Sequence, residues 1–459
     1  MGEFRELEKQ SIYFSPPEQL NDPMEGYRKI CWKGDNITWR NFLRHYVISI
    51  HTHASCHSVA GDTISWDEEG IPVFQHLDNF PTEAARRLCE QSLDAVTKLE
   101  TFIGLLAVLS GDDRRISQAE LSMLLELVHV EWLLAILQVF YKEGLLRSVP
   151  ELEHDPSAVA ERLRNHSSSV REILYEGWGD EIETINEMQA HIRNQLYLLS
   201  AHEKGEQLKP NIANLFFEFP QRYLSELIKL IFPPWHVACF SQTFSNSAMW
   251  SHYAGNHSGC CLVFKPKIRQ GQSFLSLTGP IGCGTNGVIR SESDYLLERV
   301  SYANDVQEIE FFNKIGRFSA DHLMDHWFQS PDGAISPLAS HLEDENQDEW
   351  RRMHWNAFNS PLLRKLKDWE REAETRIVLT DMLSLHDLPE DRVFTYDYNV
   401  LDGIIFGLKV SIQDKLKIMR IVDEKLSGAN RHYPFRFFQA HYDSRSAQIE
   451  AVPMNLLGN

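Results

Sequence analysis

The stretch "CFSQTFSNSAMWSHYAGNHSGCCLVF" (239–264) decides the fold. Its flanks, "HVACFSQT" (236–243) and "GCCLVFKP" (259–266), carry the β-branched and aromatic residues of short strands. Between them lies a polar turn-and-helix segment in which Met249, Trp250 and Tyr253 share one face of a helical turn. Gly255 and Gly259 permit tight backbone turns. A metal centre needs His, Cys, Asp or Glu at a recognisable spacing, and His252, His257, Cys260 and Cys261 follow none, so no metal is assigned here. His252 is then a core or turn residue, or part of a pocket. The segment is read as a pocket wall: "CFSQTF" a strand, "SAMWSHYAG" the turn and helix, "CCLVF" the returning strand.

Outward from this wall, "SIYFS" (11–15), "RVSYAN" (299–304), "TRIVLTD" (375–381), "RVFTYDY" (392–398) and "GIIFGLKVS" (403–411) read as strands. "RFFQAHYDSRSAQIEAV" (436–452) reads as a last strand pair, and "PPEQLNDPMEG" (16–26) as turns. Helical stretches are expected near 304–328 and 338–369. "NITWRNFLRHYVISIHTHA" (36–54) looks like a short helix or strand leading outward, and "AGDTISWDEEGIPVF" (60–74) like a loop.

From about 81 the apolar spacing becomes helical. Ser117 and Glu120 form a capping box at the start of a helix that ends at Gly144. Helices are expected at 157–176, 179–202 and 211–231, and Pro233-Pro234 closes the block. The expected organisation is an α+β fold with a mixed or antiparallel sheet, interrupted by a large α-helical insertion: 1–80, then the insertion 81–232, then 233–459.

The 459 residues are 43% hydrophobic and 11% aromatic, enough for a core, which argues against disorder. A net charge of −20 argues against general nucleic-acid binding, which draws its affinity from Lys and Arg on phosphates. "LSMLLELVHVEWLLAILQVF" (121–140) is the most apolar run, but Glu126, His129 and Glu131 make it a buried helix and no membrane span is expected. The start, "MGEFRELEKQ", is charged and lacks the apolar core of a signal peptide. Seven Cys without a CxxC suit free thiols and a cytoplasmic location. "NLFFEFPQRYLSELIKLIFPPW" (214–235) reads as core packing or as an interface for a protein partner.

Two further stretches carry candidate chemistry. In "YFSPPEQLNDPMEG" (13–26), Asn21 and Asp22 signal a turn. In "KDWEREAETRIVL" (367–379), Glu370, Glu372 and Glu374 alternate before a strand. An extended chain puts all three on one face, whereas a helix over 362–373 pairs Glu370 with Glu374. Crowded carboxylates repel unless Arg371, Arg376 or a ligand compensates.

These segments together with "GIIFGLKVS" resemble, in order, the bacterial family catalogued as domain of unknown function 2971. The resemblance covers 1–30 and about 235–425. Family members usually carry a further strand with an aromatic–basic pair ahead of "YFS"; "EFRE" (3–6) stands there and matches it poorly.

The order of parts is also similar to ADP-ribosyltransferase-like domains, with "CFSQTF" as the central element and Glu372-Ala373-Glu374 as the acidic one. That resemblance implies an NAD-consuming transferase or glycohydrolase of the toxin or phage-defence kind, whose transition state is oxocarbenium-like. Glu374 would face the developing charge and Glu372 would orient or deprotonate the acceptor. Tyr253, Trp250 or Phe240 would stack on nicotinamide, and His252 and Ser241 would bond ribose or carboxamide. Asn21 and Asp22 would shape the pocket mouth, while Arg376 would balance the acidic pair or reach the pyrophosphate. The acceptor would be a protein, a nucleic-acid base or water. Two other readings stand beside it. One is a non-catalytic sensor or interaction module of a defence complex. The other is an Mg²⁺- or Mn²⁺-dependent nuclease using Asp22, Glu25, His252 and Glu372.

Overall fold

A computed structural model describes residues 6–22, 24–60, 71–73, 76–111, 115–149, 215–216, 218–285, 287–427, 435–446 and 448–454. The helices expected at 157–176 and 179–202, most of the loop 60–74, and "EFRE" up to residue 5 lie outside these residues. The fold is α+β, in two units. One comprises Met1–Tyr27, Pro233–Val306 and Ala357–Asn459; the other comprises Arg28–Phe232 and Gln307–Asn356.

The first unit holds a seven-stranded sheet in which all pairs are antiparallel. Its order is Ser11–Tyr13, Val393–Thr395, Gln272–Gly284, Gly287–Arg299, Glu374–Thr380 and Trp235–Ser241, with Lys267–Arg269 added beside Gln272–Gly284. Ser15 and Val237 exchange two backbone hydrogen bonds of 2.9 Å, so the segment 11–15 has a neighbour on each side and the sheet closes on itself. Phe14, Leu275, Leu277, Ile377 and Phe394 fill its core. Gly279 is required here: a Cβ would lie 2.0 Å from the Phe394 ring.

A four-stranded sheet in the same unit runs Gln448–Pro453, Arg436–Asp443, Leu401–Phe406, Cys260–Phe264. Leu401–Phe406 and Arg436–Asp443 are parallel and are joined through the helix Ile412–Leu426, which a parallel pair requires. Strand alternation sends Cys260, Leu262, Ile404 and Phe406 to one core, while Cys261, Val263 and Ile405 meet Trp250 on the other face. The opening stretch thus leaves one sheet at Ser241, forms the helix Ser247–Tyr253, and enters the other sheet at Cys260.

The long hairpin Gln272–Gly284/Gly287–Arg299 was not among the expected strands, and the stretch 304–328 is not one helix. It contains the strand Glu308–Glu310, a short helix Ala320–Leu323 and a π-helical turn Met324–Phe328. The helix expected at 338–369 is confined to Asp344–Leu362, followed by a 3-10 turn Lys367–Glu372.

The second unit is built mainly of the helices Asn36–Ala60, Glu83–Thr97, Glu100–Ser110, Gln118–Lys142 and Phe219–Ile228. The insertion expected at 81–232 is therefore part of a larger body that begins at Arg28 and takes in Gln307–Asn356. Residues 36–54 do not lead outward. They belong to a 25-residue helix with Trp39, Phe42 and Tyr46 fully buried. Polar residues of that helix are also buried and satisfied: Asn41 donates to the carbonyls of Trp327 and Gln329, and His51 Nδ1 bonds Ser92 Oγ. A helix buried all round shows no clean apolar stripe, which explains the misreading.

Ser117 Oγ accepts the Glu120 N–H, as its capping role requires. The helix Gln118–Lys142 is long and apolar enough to cross a membrane by length and composition. Here Leu121, Leu125, Trp132 and Phe140 are buried within the unit. Within "NLFFEFPQRYLSELIKLIFPPW", Phe219, Tyr223, Leu224 and Leu227 are buried core residues.

Candidate functional site

The strand Glu374–Thr380 pairs with Trp235–Ser241 so that Glu374 sits opposite Ser241 and Arg376 opposite Cys239. Just before this strand, Ala373 adopts the left-handed region at φ 45°, which non-glycine residues avoid. This reversal ends the 3-10 turn and turns Glu372 inward beside Glu374, while Glu370 stays exposed. Neither a continuous strand nor a helix groups the three carboxylates; a kink selects two.

Both carboxylates enter a buried ionic group with Glu25, Lys365 and Arg376. Lys365 Nζ lies 2.7 Å from Glu372 Oε2, 3.2 Å from Glu374 Oε2 and 3.1 Å from Glu25 Oε1. Arg376, fully buried, donates from Nε to Glu374 Oε1 at 2.7 Å, from Nη2 to Glu25 Oε1 at 2.8 Å, and from Nη1 to the Leu362 carbonyl at 2.7 Å. Three carboxylates face two cations, and the protonation tendencies follow. Burial raises Glu25 despite Arg376 and Lys365. Burial pushes Glu374 the same way, but its bonds to Arg376 outweigh it and the net shift is downward. Burial acts to lower Lys365, yet the bond to Glu372 and the charges of Glu374 and Glu25 leave it raised.

One cleft of about 630 Å³ opens over this group. Of the residues singled out in the sequence, Asn21, Phe240, Ser241, Trp250, His252, Tyr253, Glu372 and Glu374 line it. Tyr253 Oη donates to Glu372 Oε1 at 2.7 Å and accepts from Asn21 Nδ2 at 3.1 Å. The side chain is half exposed, yet desolvation of the phenol, then its bond to Glu372, raises it to about 12. Ser241 Oγ lies 2.8 Å from the Glu372 and the Thr243 carbonyl oxygens, which share its one proton, and accepts the Thr243 N–H, so its hydroxyl fixes the kink. Trp250 is 3% exposed and donates its Nε1–H to the Phe244 carbonyl, which makes it chiefly a core residue. His252 is exposed on the helix Ser247–Tyr253.

Two expected site residues do not line the cleft. Asp22 is buried and accepts the Met24 N–H, which makes it a turn former. Arg376 balances carboxylates and, enclosed, does not reach toward a pyrophosphate. Glu374 lines the cleft, but its oxygens are held by Arg376 and Lys365. The nuclease set does not assemble as metal ligands, because Asp22 is spent on its turn and Lys365 holds Glu25 and Glu372.

Lys365 was missed by the sequence reading. It lies on the two-residue strand Arg364–Lys365, parallel to Ser301–Tyr302, within a run of alternating charges that gives no periodic signal. Tyr302 Oη, also missed, accepts the Glu374 N–H at 2.8 Å and anchors the strand start. Cys239 lines the cleft as well. The residue is exposed, yet desolvation of its thiol and then the Glu374 carboxylate shift the thiol upward, which disfavours the thiolate.

A family model described as "Protein of unknown function (DUF2971)" matches residues 249–377, a span running from the helix of the opening stretch to the middle of the strand after Glu374. No curated protein and no solved structure matches the chain.

Proposed function

We propose that the first unit binds a nicotinamide dinucleotide in the 630 Å³ cleft and cleaves its N-glycosidic bond. The observation that carries the reading is the convergence of Glu372, its partner Tyr253 and the aromatic wall on one cleft. In this reaction the bond from ribose C1′ to the pyridinium nitrogen breaks and its electron pair leaves with neutral nicotinamide. The oxocarbenium-like ribose is stabilised by an adjacent carboxylate. An acceptor, either water or a nucleophile on a protein or base, then adds to C1′ and gives up its proton.

The roles shift from those implied by resemblance alone. Glu372 takes the place beside the reacting ribose, because its Tyr253 partner is on the cleft side and a ribose hydroxyl can replace that phenol. Glu374 is a positioning residue that holds Lys365 and Arg376. Phe240 and Tyr253 supply ring surface for nicotinamide. On this reading the chain is an effector of a bacterial toxin or phage-defence system.

A second reading is favoured by the completeness of the ionic group, in which Lys365 and Arg376 engage all three carboxylates. Such a group serves equally as the rigid floor of a binding or sensor module without chemistry. Incubation of the full chain with NAD separates the two. Release of nicotinamide that falls at least about 100-fold in Glu372→Gln, comparable to removing one oxyanion-hole donor, supports the enzyme. Calorimetric binding of NAD without release supports the module, and neither binding nor release sinks both.

A further inference from the structure

The second unit brings three histidines from two distant segments into one group. The ligating atoms of His76, His322 and His326 all lie within 4.8 Å of one another. The ring centroids are 4.5 Å apart for His76 and His322, 4.0 Å for His76 and His326, and 4.7 Å for His322 and His326. With nitrogens about 2.0–2.1 Å from a common ion, ring centroids come to about 4.5 Å apart for ligands at right angles and about 5 Å for tetrahedral ones. Two of the observed separations lie near the first value, and the His76–His326 pair is closer than either, with ring planes 14° apart against 64° and 51° for the other two pairs.

Local structure accounts for the convergence. His322 and His326 are four residues apart, where a helix places side chains on one face. The short helix Ala320–Leu323 passes there into the π-helical turn Met324–Phe328, a wider turn frequent at functional sites. His45 Nε2 bonds the His326 carbonyl and helps to hold that turn. His76 comes from the segment just before the turn Leu77–Asn79.

Two observations mark the group as more than packed imidazoles. His76 Nδ1 and His322 Nε2 are shielded from solvent and have no hydrogen-bond partner among the described residues, which costs free energy in a resting structure. His76 and His326 also line a cleft of about 280 Å³, which Arg44 and Arg86 border too.

We propose that His76, His322 and His326 bind a first-row divalent cation of the zinc class, with a coordination position open to the adjoining cleft. Three imidazole nitrogens suit zinc over magnesium or calcium, which take oxygen donors. Three protein ligands plus an open position is the pattern of exchangeable or catalytic zinc sites, as opposed to closed structural ones. The site is independent of the cleft in the first unit and of the reading proposed for it.

The test uses the untagged full chain, stripped with chelator and titrated with Zn²⁺ against a chromophoric competitor. The wild type should bind Zn²⁺, and Co²⁺ loading should give visible d–d absorption bands. His326→Ala and His76→Ala should each weaken Zn²⁺ by more than the 10–100-fold typical of an outer-shell change. His326→Cys, which restores a zinc ligand, should recover most of the affinity. Far-UV circular dichroism identifies a variant that fails to fold, and the wild-type cobalt spectrum tests the site without any substitution. A second group, the buried His236, Asp381 and His386 of the first unit, is the natural competitor. Absence of cobalt bands, unchanged zinc affinity in His326→Ala, or binding that is lost only in His236→Ala overturns the assignment.

Discussion

Tyr253 donates its phenol proton to Glu372 Oε1 at 2.7 Å, joining residues 119 positions apart. The contact ties the helix of the opening stretch to the kink before the acidic strand, and both of its residues line the cleft. Tyr253→Phe keeps the ring and removes the donor. The expected cost is about 0.5–1.5 kcal/mol of stability, read as a shift in the urea midpoint. On the proposed function, nicotinamide release should also change in rate and pH profile, whereas a purely structural tyrosine would move only the midpoint.

Lys365 is the cation shared by Glu25, Glu372 and Glu374, at 5% side-chain exposure. Lys365→Met leaves three buried carboxylates to Arg376 alone. The loss should be about 3–5 kcal/mol, the range for breaking one side of a buried ion pair. Adding Glu25→Gln should return part of it in a double-mutant cycle. Additive losses would mean that the two residues do not interact.

The acid response should depend on Glu25. Glu374 has a lowered folded pKa, so the stability it contributes is present above its unfolded value of 4.5 and is lost as pH falls through the folded one. Glu25 has a raised folded pKa, so its contribution is fully present below 4.5 and is lost as pH rises through the folded value. The two act in adjoining windows on acidification, Glu25 above 4.5 and Glu374 below it. Glu25→Gln removes the gain that protonation of Glu25 gives the wild type as pH falls from neutral toward 4.5, so its denaturation midpoint should lack that rise, while below 4.5 the two curves run parallel. Parallel curves above 4.5 as well would show that Glu25 is ordinary. At high pH, Lys365 has the raised-pKa sign, and its contribution fades only as pH climbs above 10.5 through its folded value.

Ala373 sits at φ 45°, where an L side chain is strained. Ala373→Gly should raise stability by about 1 kcal/mol, since a left-handed residue with a Cβ costs roughly 1–2 kcal/mol and glycine returns part through its unfolded-state entropy. Thermal melting decides it, and a lower midpoint would show that the kink is not strained. The opposite case is Gly279→Ala, whose Cβ would meet the Phe394 ring at 2.0 Å; overpacking of about 1–3 kcal/mol is expected.

If the chain consumes NAD, its expression in a bacterial host should lower NAD and arrest growth, and Glu372→Gln should relieve both. Arrest that persists in the variant with NAD unchanged would count against the enzyme.

The parts of this structure legible in the sequence were those governed by local pattern. The two strands around Asn246–Gly259, the cap at Ser117 and the stop at Gly144 follow from residue type and spacing alone. The nearness of Tyr253 to the glutamates did not follow from spacing; only the resemblance implied it. Three features were not legible, each for a different reason. The helix Asn36–Ala60 is buried on several sides, with histidines satisfied by tertiary partners, so its periodicity is blurred. The hairpin Gln272–Arg299 has glycines and a proline within its strands, which read as loop. The Lys365 partnership arises from register and from the left-handed Ala373, and neither leaves a trace in composition.

The bridge between Ser15 and Val237 has a bearing on biosynthesis. Segment 11–15 is made well before its neighbours at 237 and 393–395, which emerge from the ribosome far later. The early strand must stay unpaired, with both edges open, while some 380 residues follow it. Nascent chains of this protein should therefore depend on chaperone holding until 393–395 has emerged, and premature stops before 393 should leave an aggregation-prone edge, read as insoluble product of the truncated chain.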